Sequence, residues 1–262
     1  MTLNLAHGRA RAFAQSRARP AQWFRDNLDV IVQVLAREQP DVVALQEAEL
    51  GSRWAGDFDH IEYLARRGGF ASLTATPHVL AEGRFRYGTA VLAKAELRAH
   101  GGTDFAAQAR WHKGFTWATI DAFGGPLTLV SVHLDFASAA RRRLQARELV
   151  LAFADRPEPI VVLGDCNSHW RDEGSPVAAI AAQLELHTEA PLARGPITYP
   201  FGRRRLDWIL APDGVEFVDH RVLGDRVSDH RAVLADLTSD GRRRTAAATA
   251  AHASPAPRPR AG

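Results

Sequence analysis

Apolar and polar positions along the chain fall into short, β-branched runs that recur at intervals. DVVALQE (41–47), TAVLAK (89–94), FTWATIDAF (115–123), LTLVSVHLDF (127–136), PIVVLGD (159–165), LDWILAP (206–212) and RAVLADL (231–237) each have the length of one buried strand, and several end on a polar or acidic residue. Thr2-Leu3-Asn4-Leu5 reads as the end of a further strand whose start would precede Met1. Between these runs the apolar period lengthens to that of a helix. Leu28, Ile31, Val32 and Leu35 share one face of a first helix, and Leu144, Glu148 and Leu151 lie along a later one. Ser175-Pro176 supplies an N-cap and first-turn pair for a helix through Leu184.

Strands and helices interleave, but residues 89–136 hold strands without helices, which a purely parallel α/β sheet would not show. The pattern predicts an α+β fold of two mixed sheets packed face to face with helices outside. With 262 residues and 46% hydrophobic content, the chain can bury a full core. Residues 239–262, rich in Ala, Pro and Arg, have too few bulky apolar side chains to repay ordering. A folded domain over 1–238 and a disordered tail are therefore expected.

Charge changes the picture only after that division. The formal net charge is +3, but without the last 24 residues the chain carries 28 basic against 29 acidic residues, a net of −1. By net charge the body is thus not a basic nucleic-acid clamp, which leaves room for local basic patches. One cysteine excludes an intramolecular disulfide and any multi-cysteine metal site, so a metal would sit on oxygen or imidazole ligands. No apolar run reaches the ~20 residues that span a bilayer. The expected location for the chain as written is cytoplasmic; a start lost upstream of Met1 would carry any export signal with it.

Five stretches carry candidate chemistry. In VVLGDCNS, strand alternation would turn Asp165 and Asn167 to one side and Cys166 to the packing side, which makes the thiol structural. DVVALQEAE delivers Glu47 at a strand end, either as a cap or as a hard-metal ligand. SVHLDF places His133 late in an apolar strand. RRRLDWIL places Asp207 just before another, and VSDHRAV pairs Asp229 with His230 ahead of the last. Each has an ordinary structural reading alone; jointly those readings require five coincidences.

The ordered set of Asn4 (TLNLAHG), Glu47 (ALQEAE), Tyr87-Gly88-Thr89-Ala90, His133 (SVHLD), Asp165 and Asn167 (GDCN), Asp207 (RLDWIL) and Asp229-His230 (SDH) resembles the endonuclease/exonuclease/phosphatase superfamily. The resemblance covers about residues 2–237 and implies a DNase I-like four-layer αββα sandwich. It further implies a metal-dependent phosphoester hydrolase, with Glu47 as main ligand of Mg²⁺ or Mn²⁺ and Asn4 and Asp229 in or near its shell. His230 would be held in its tautomer by Asp207, Asp165 would orient or deprotonate the attacking water, and Asn167 would donate to the phosphate. His133 would serve as stabiliser or leaving-group acid. Cys166 stands where the superfamily usually has an aromatic residue.

The substrate is less constrained. Arg203, Arg204 and Arg205 precede Asp207 and are read either as a cleft rim that holds a phosphate or as a solvated loop; Lys113 and Tyr87 are further substrate-binding candidates. Trp111 would stack on a base or pack on the sheet. The phosphoester is a small molecule, a lipid headgroup or, in a second reading, a nucleic acid. A catalytically silent binding module on the same fold is the third reading. No protein partner is inferred.

Overall fold

A computed structural model of the chain describes residues 1–10, 19–81, 84–108, 111–193 and 196–239. In chain order the elements are β1 (Thr2–Asn4), α1 (Ala21–Glu38), β2 (Val42–Glu49), α2 (His60–Gly68), β3 (Ser72–Ala81), β4 (Phe85–Ala93), β5 (Ala99–Asp104) and β6 (Gly114–Ala122). They continue with β7 (Gly125–His133), α3 (Ala139–Phe153), β8 (Ile160–Asp165), α4 (Pro176–Gln183), β9 (Leu186–His187), β10 (Asp207–Pro212), β11 (Val215–Val222) and β12 (Val233–Ser239). The strands form two mixed six-stranded sheets, ordered β11-β12-β1-β2-β4-β3 and β5-β6-β7-β8-β10-β9.

Strand alternation explains the layers. In β8, Val161 and Leu163 meet Ala44, Leu129 and Val233 between the sheets, while Ile160 and Val162 point outward to pack with Ala146, Leu149 and Val150 of α3. On the other side Val43 and Leu45 of β2 pack beneath Leu28, Ile31 and Leu35 of α1 and Leu64 of α2. Helices, sheet, sheet and helices stack as the DNase I-like αββα sandwich expected from the sequence. At one end the layer between the sheets turns polar. There the Gln46 amide donates to Ser131 Oγ (3.0 Å), the Ser131 hydroxyl donates to the Leu45 carbonyl (2.9 Å), and Thr89 and Thr116 share a 2.8 Å bond. These buried polar side chains bond one another across the sheets, so the core can turn polar toward the cleft.

Helix α4 begins as read, with Ser175 accepting from the Ala178 N–H and Pro176 in the first turn. Helix α3 does not present the expected face. Leu144 and Leu151 are 55% and 68% exposed, and the stripe that meets the sheet is Gln145, Ala146, Leu149, Val150 and Phe153. Both stripes have helical spacing, and the small Ala146 on the buried one permits close approach to the sheet. β12 ends at Ser239; the tail from 240 onward lies outside the described residues. Among the described residues no helix is long and apolar enough to cross a membrane.

Candidate active site

Register builds the cleft floor. β7 pairs with β8 so that His133 lies opposite Asp165, and β8 pairs with β10 so that Asp165 lies opposite Asp207. Residues directly opposite on adjacent strands share a face, so the second sheet presents His133, Asp165 and Asp207 as one buried row. Gly164 makes this possible: at φ +150° its missing Cβ would lie 2.0 Å from the Val132 carbonyl oxygen, so only glycine lets β7 and β8 close here.

The first sheet contributes Asn4 and Glu47. Pairing of β2 with β4 shifts register between Leu45 and Ala48, and Glu47 sits in that bulge at φ +47°. The bulge turns Glu47 into the cleft while Gln46 stays between the sheets, where it bonds Ser131. Asn167 also lies in the left-handed region, at φ +46°. This corrects the reasoning from alternation, because β8 already ends at Asp165. Asp165 and Asn167 reach the same cleft through a turn in which the Asn167 N–H donates to Asp165 Oδ1 (2.9 Å) and its side-chain amide donates to the Leu134 carbonyl (2.9 Å). Cys166 is 1% exposed in the core under α3 and α4, and burial followed by the nearby Asp165 and Asp207 charges pushes its thiol pKa well up.

His230 closes the row from above. Its Nδ1 is 2.8 Å from Asp207 Oδ2 and its Nε2 3.7 Å from Asp165 Oδ2. Burial works against the imidazolium, but Asp207 and then Asp165 outweigh it and raise the pKa to about 10. Burial raises Asp165 in turn, although His230 opposes this. The Asn4 amide donates to Asp165 Oδ2 (3.0 Å), while its carbonyl oxygen accepts from the Ala6 N–H (2.9 Å). His133 faces Lys113, whose ammonium stands 3.1 and 3.2 Å from the two ring nitrogens. Burial, reinforced by that ammonium, holds His133 neutral. Lys113 also lies 3.4 Å from Glu47 Oε1. Burial opposes ionisation of Glu47, yet the facing His7 and then the Lys113 ammonium prevail and hold its carboxyl well below the usual range.

The cleft above this floor has a volume of about 660 Å³ and includes Asp229, whose Oδ1 accepts from the Ser228 hydroxyl at 3.2 Å. One wall is aromatic: Trp54, Phe85 and Trp111 meet edge to face at 5.3 and 6.1 Å, with Tyr87 beside His7. Arg142 and Arg204 line it too, and Arg204 is tied to Asp172 at 2.7 Å. Arg205 does not line the cleft. Its guanidinium stacks over Trp208 at 4.0 Å and donates to the Glu189 and Ala190 carbonyls, so it braces the loop before β10, while Arg203 sits exposed in a turn. His7, Trp54, Phe85, Phe136, Arg142 and Tyr199 also line the cleft, and none was singled out from sequence. His7 alone left a signal, three positions after Asn4 in TLNLAHG.

Oxygen donors dominate the floor, as a hard divalent cation requires. Glu47 and Asp229 face the cleft, and Asp207 Oδ1 is buried without a hydrogen-bond partner among the described residues. Donor atoms of Asp165, Asp207 and His230 all lie within 4.8 Å of one another and form a second group able to hold a metal. The His230–Asp207 bond already occupies part of that group. Glu47 and Asp229 are the cleft-lining acids outside that group, with Glu47 between Lys113 and His7.

A DNase I-like sandwich whose strand ends gather carboxylates, an acid–histidine pair and a lysine in one cleft is a phosphoester hydrolase scaffold. The chain belongs to the Endonuclease/Exonuclease/phosphatase family, whose model matches residues 1–230. That family is generally hydrolytic on phosphoester bonds and generally dependent on a divalent metal. Among solved structures, an endonuclease/exonuclease/phosphatase from Beutenbergia cavernae is 22% identical with a TM-score of 0.66, over 81% of this chain and 66% of that one. The chain thus spans just under two thirds of that protein. A Bacteroides vulgatus endonuclease/exonuclease/phosphatase is 18% identical, with a TM-score of 0.72 over 91% and 97% of the two chains. A mannosyl-6-phosphatase from Bacteroides thetaiotaomicron is 15% identical, with a TM-score of 0.64 over 90% and 98%. No curated protein matches the chain significantly.

Proposed function

We propose that the cleft hydrolyses a phosphodiester or phosphomonoester of a small molecule by attack of water on phosphorus. The observation that carries this reading is the buried row His133–Asp165–Asp207, with His230 bonded to its end at 2.8 Å. Asp165, its pKa raised by burial, takes a proton from water as the new P–O bond forms. His230, held as imidazolium by Asp207, donates to a non-bridging phosphate oxygen, and Asn167 offers a second donor. As the ester P–O bond breaks, His133 and the Lys113 ammonium behind it face the charge on the departing oxygen. A divalent cation, Mg²⁺ or Mn²⁺, held by Glu47 with Asp229 and Asn4 nearby, would offset the negative charge that builds on the phosphoryl group.

A compact cleft with an aromatic wall and a body of net charge −1 favour a small phosphoester over duplex DNA, which draws on many phosphate contacts. The mannosyl-6-phosphatase relative is in keeping with such a substrate. Purified protein with Mg²⁺ or Mn²⁺ should hydrolyse bis-p-nitrophenyl phosphate, and Glu47→Ala or His230→Ala should abolish turnover. Activity indifferent to both changes, or none with any divalent metal, would sink the reading. In a panel of nucleic acids and small phosphoesters, steep salt dependence on one nucleic acid would transfer the assignment to a nuclease.

A further inference from the structure

A second acid–histidine pair stands on the first-sheet side of the cleft and has no part in the steps above. His7 occupies the turn after β1 at φ +57°, its ring set edge to face against Trp54 (4.7 Å) and Tyr87 (4.5 Å). Its Nδ1 is 2.8 Å from Oε1 of Glu49, a carboxylate with no exposed surface whose other oxygen accepts from the Ser52 hydroxyl. Glu49 takes up Nδ1, so Nε2 is the ring nitrogen that a cation in the cleft would take, displacing any proton held there against Glu47. That Nε2 makes no hydrogen bond among the described residues. It faces Glu47 Oε2 at 3.4 Å, longer than a hydrogen bond, in a side chain only 7% exposed. Lys113 stands on the other oxygen of Glu47, so Oε2 is left to His7.

A histidine tied through one nitrogen to a carboxylate, with the other nitrogen facing an acidic oxygen in a cleft, has the layout of a metal ligand with its outer support. Two donors 3.4 Å apart can both reach one cation at donor distances of about 2.1 Å. We propose that Glu47 Oε2 and His7 Nε2 jointly bind an imidazole-accepting first-row cation, Mn²⁺, Co²⁺ or Zn²⁺, in preference to Mg²⁺. Glu49 acts as the positioning residue. The assignment rests on Glu47 holding the cation, and it goes further by adding a nitrogen ligand that biases metal choice.

Mn²⁺ bound to the full chain, followed by pulsed electron paramagnetic resonance and by calorimetry, tests this without any turnover. The wild-type spectrum should show nitrogen coupling, which His7→Gln should abolish. Glu49→Gln should weaken Mn²⁺ by about 10- to 100-fold, and His7→Gln should lower the ratio of Mn²⁺ to Mg²⁺ affinity. No nitrogen coupling in the wild type, or coupling that persists in His7→Gln, overturns the inference. Should His7→Gln not fold, His133→Gln and His230→Gln decide: coupling kept in both assigns His7, and coupling lost in either overturns it. Undiminished Mn²⁺ affinity in Glu47→Gln instead removes the cation from Glu47 and takes down the proposed function with it.

Discussion

Asp207→Asn removes one charge from the cleft and keeps the side-chain shape. Asp207 has no exposed surface, its Oδ2 is 2.8 Å from His230 Nδ1, and after burial it is the largest influence on His230, whose pKa stands at about 10. A hydrogen bond to a charged group is worth about 1.5–3 kcal/mol. At 1.36 kcal/mol per pKa unit, its loss lowers the His230 pKa by about 1 to 2. The imidazolium is present below its pKa and lost above it, so the alkaline limb of kcat/KM against pH should move down by about 1 to 2 pH units. If the whole interaction is expressed in the transition state, kcat/KM also falls about 10- to 150-fold. The new amide has no good orientation. Turned to His230, its N–H opposes Nδ1–H; turned to the side of the unpartnered Oδ1, it is a buried donor without an acceptor. Stability follows the same sign, since the His230 contribution is complete below its unfolded pKa near 6.5 and fades as pH rises toward 10. Initial rates on bis-p-nitrophenyl phosphate across the pH range measure both effects. An alkaline limb that stays in place, with a rate within about twofold of wild type, refutes the imidazolium role.

Two further substitutions separate chemistry from packing. Cys166→Ala should keep metal-dependent turnover while lowering unfolding free energy by about 1 kcal/mol in denaturant titration, whereas Asp165→Ala should lose turnover; the reverse pattern would assign the chemistry to the thiol. Gly164→Ala places a methyl 2.0 Å from the Val132 carbonyl oxygen, which only separation of β7 from β8 relieves. It should cost about 3 kcal/mol or more, and a melting curve that matches the wild type would show that the strands close in another way.

Interior strands were legible in the sequence and edge strands were not, for one physical reason. A strand with neighbours on both sides and cover on both faces needs an apolar run, and VVALQ, TAVLA or IVVLG shows it. β3, β5, β9 and β11 are the edges of the two sheets. β5 reads AHGGTD with mostly exposed positions, β3 carries Pro77 beside a register shift, and β11 carries Glu216, Asp219 and Arg221 around a bulge. Such residues blunt an open edge, and they erase the signal that marks a strand. Helix α2 was missed as well, although Asp59 caps it by accepting from Ile61 and Glu62. Within the cleft, residues on strand ends were found because they interrupt apolar runs. Trp54, Phe85 and Arg142 were not, since nothing local distinguishes a side chain that meets a cleft from one that meets solvent.

The row formed by His133, Asp165 and Asp207 divides the molecule into parts that can change at different speeds. The three side chains to which the proposed chemistry is assigned are locked to one another by backbone ladders, so none can drift without breaking the register of its neighbours. Trp54, Trp111, Phe136 and Tyr199 lie outside the strands, and Phe85 starts one. Exchange of the segments that carry them would redraw what the cleft admits and leave the ladder untouched. The same chain is thus a scaffold on which selectivity can be evolved by loop replacement, with the chemistry held constant beneath it.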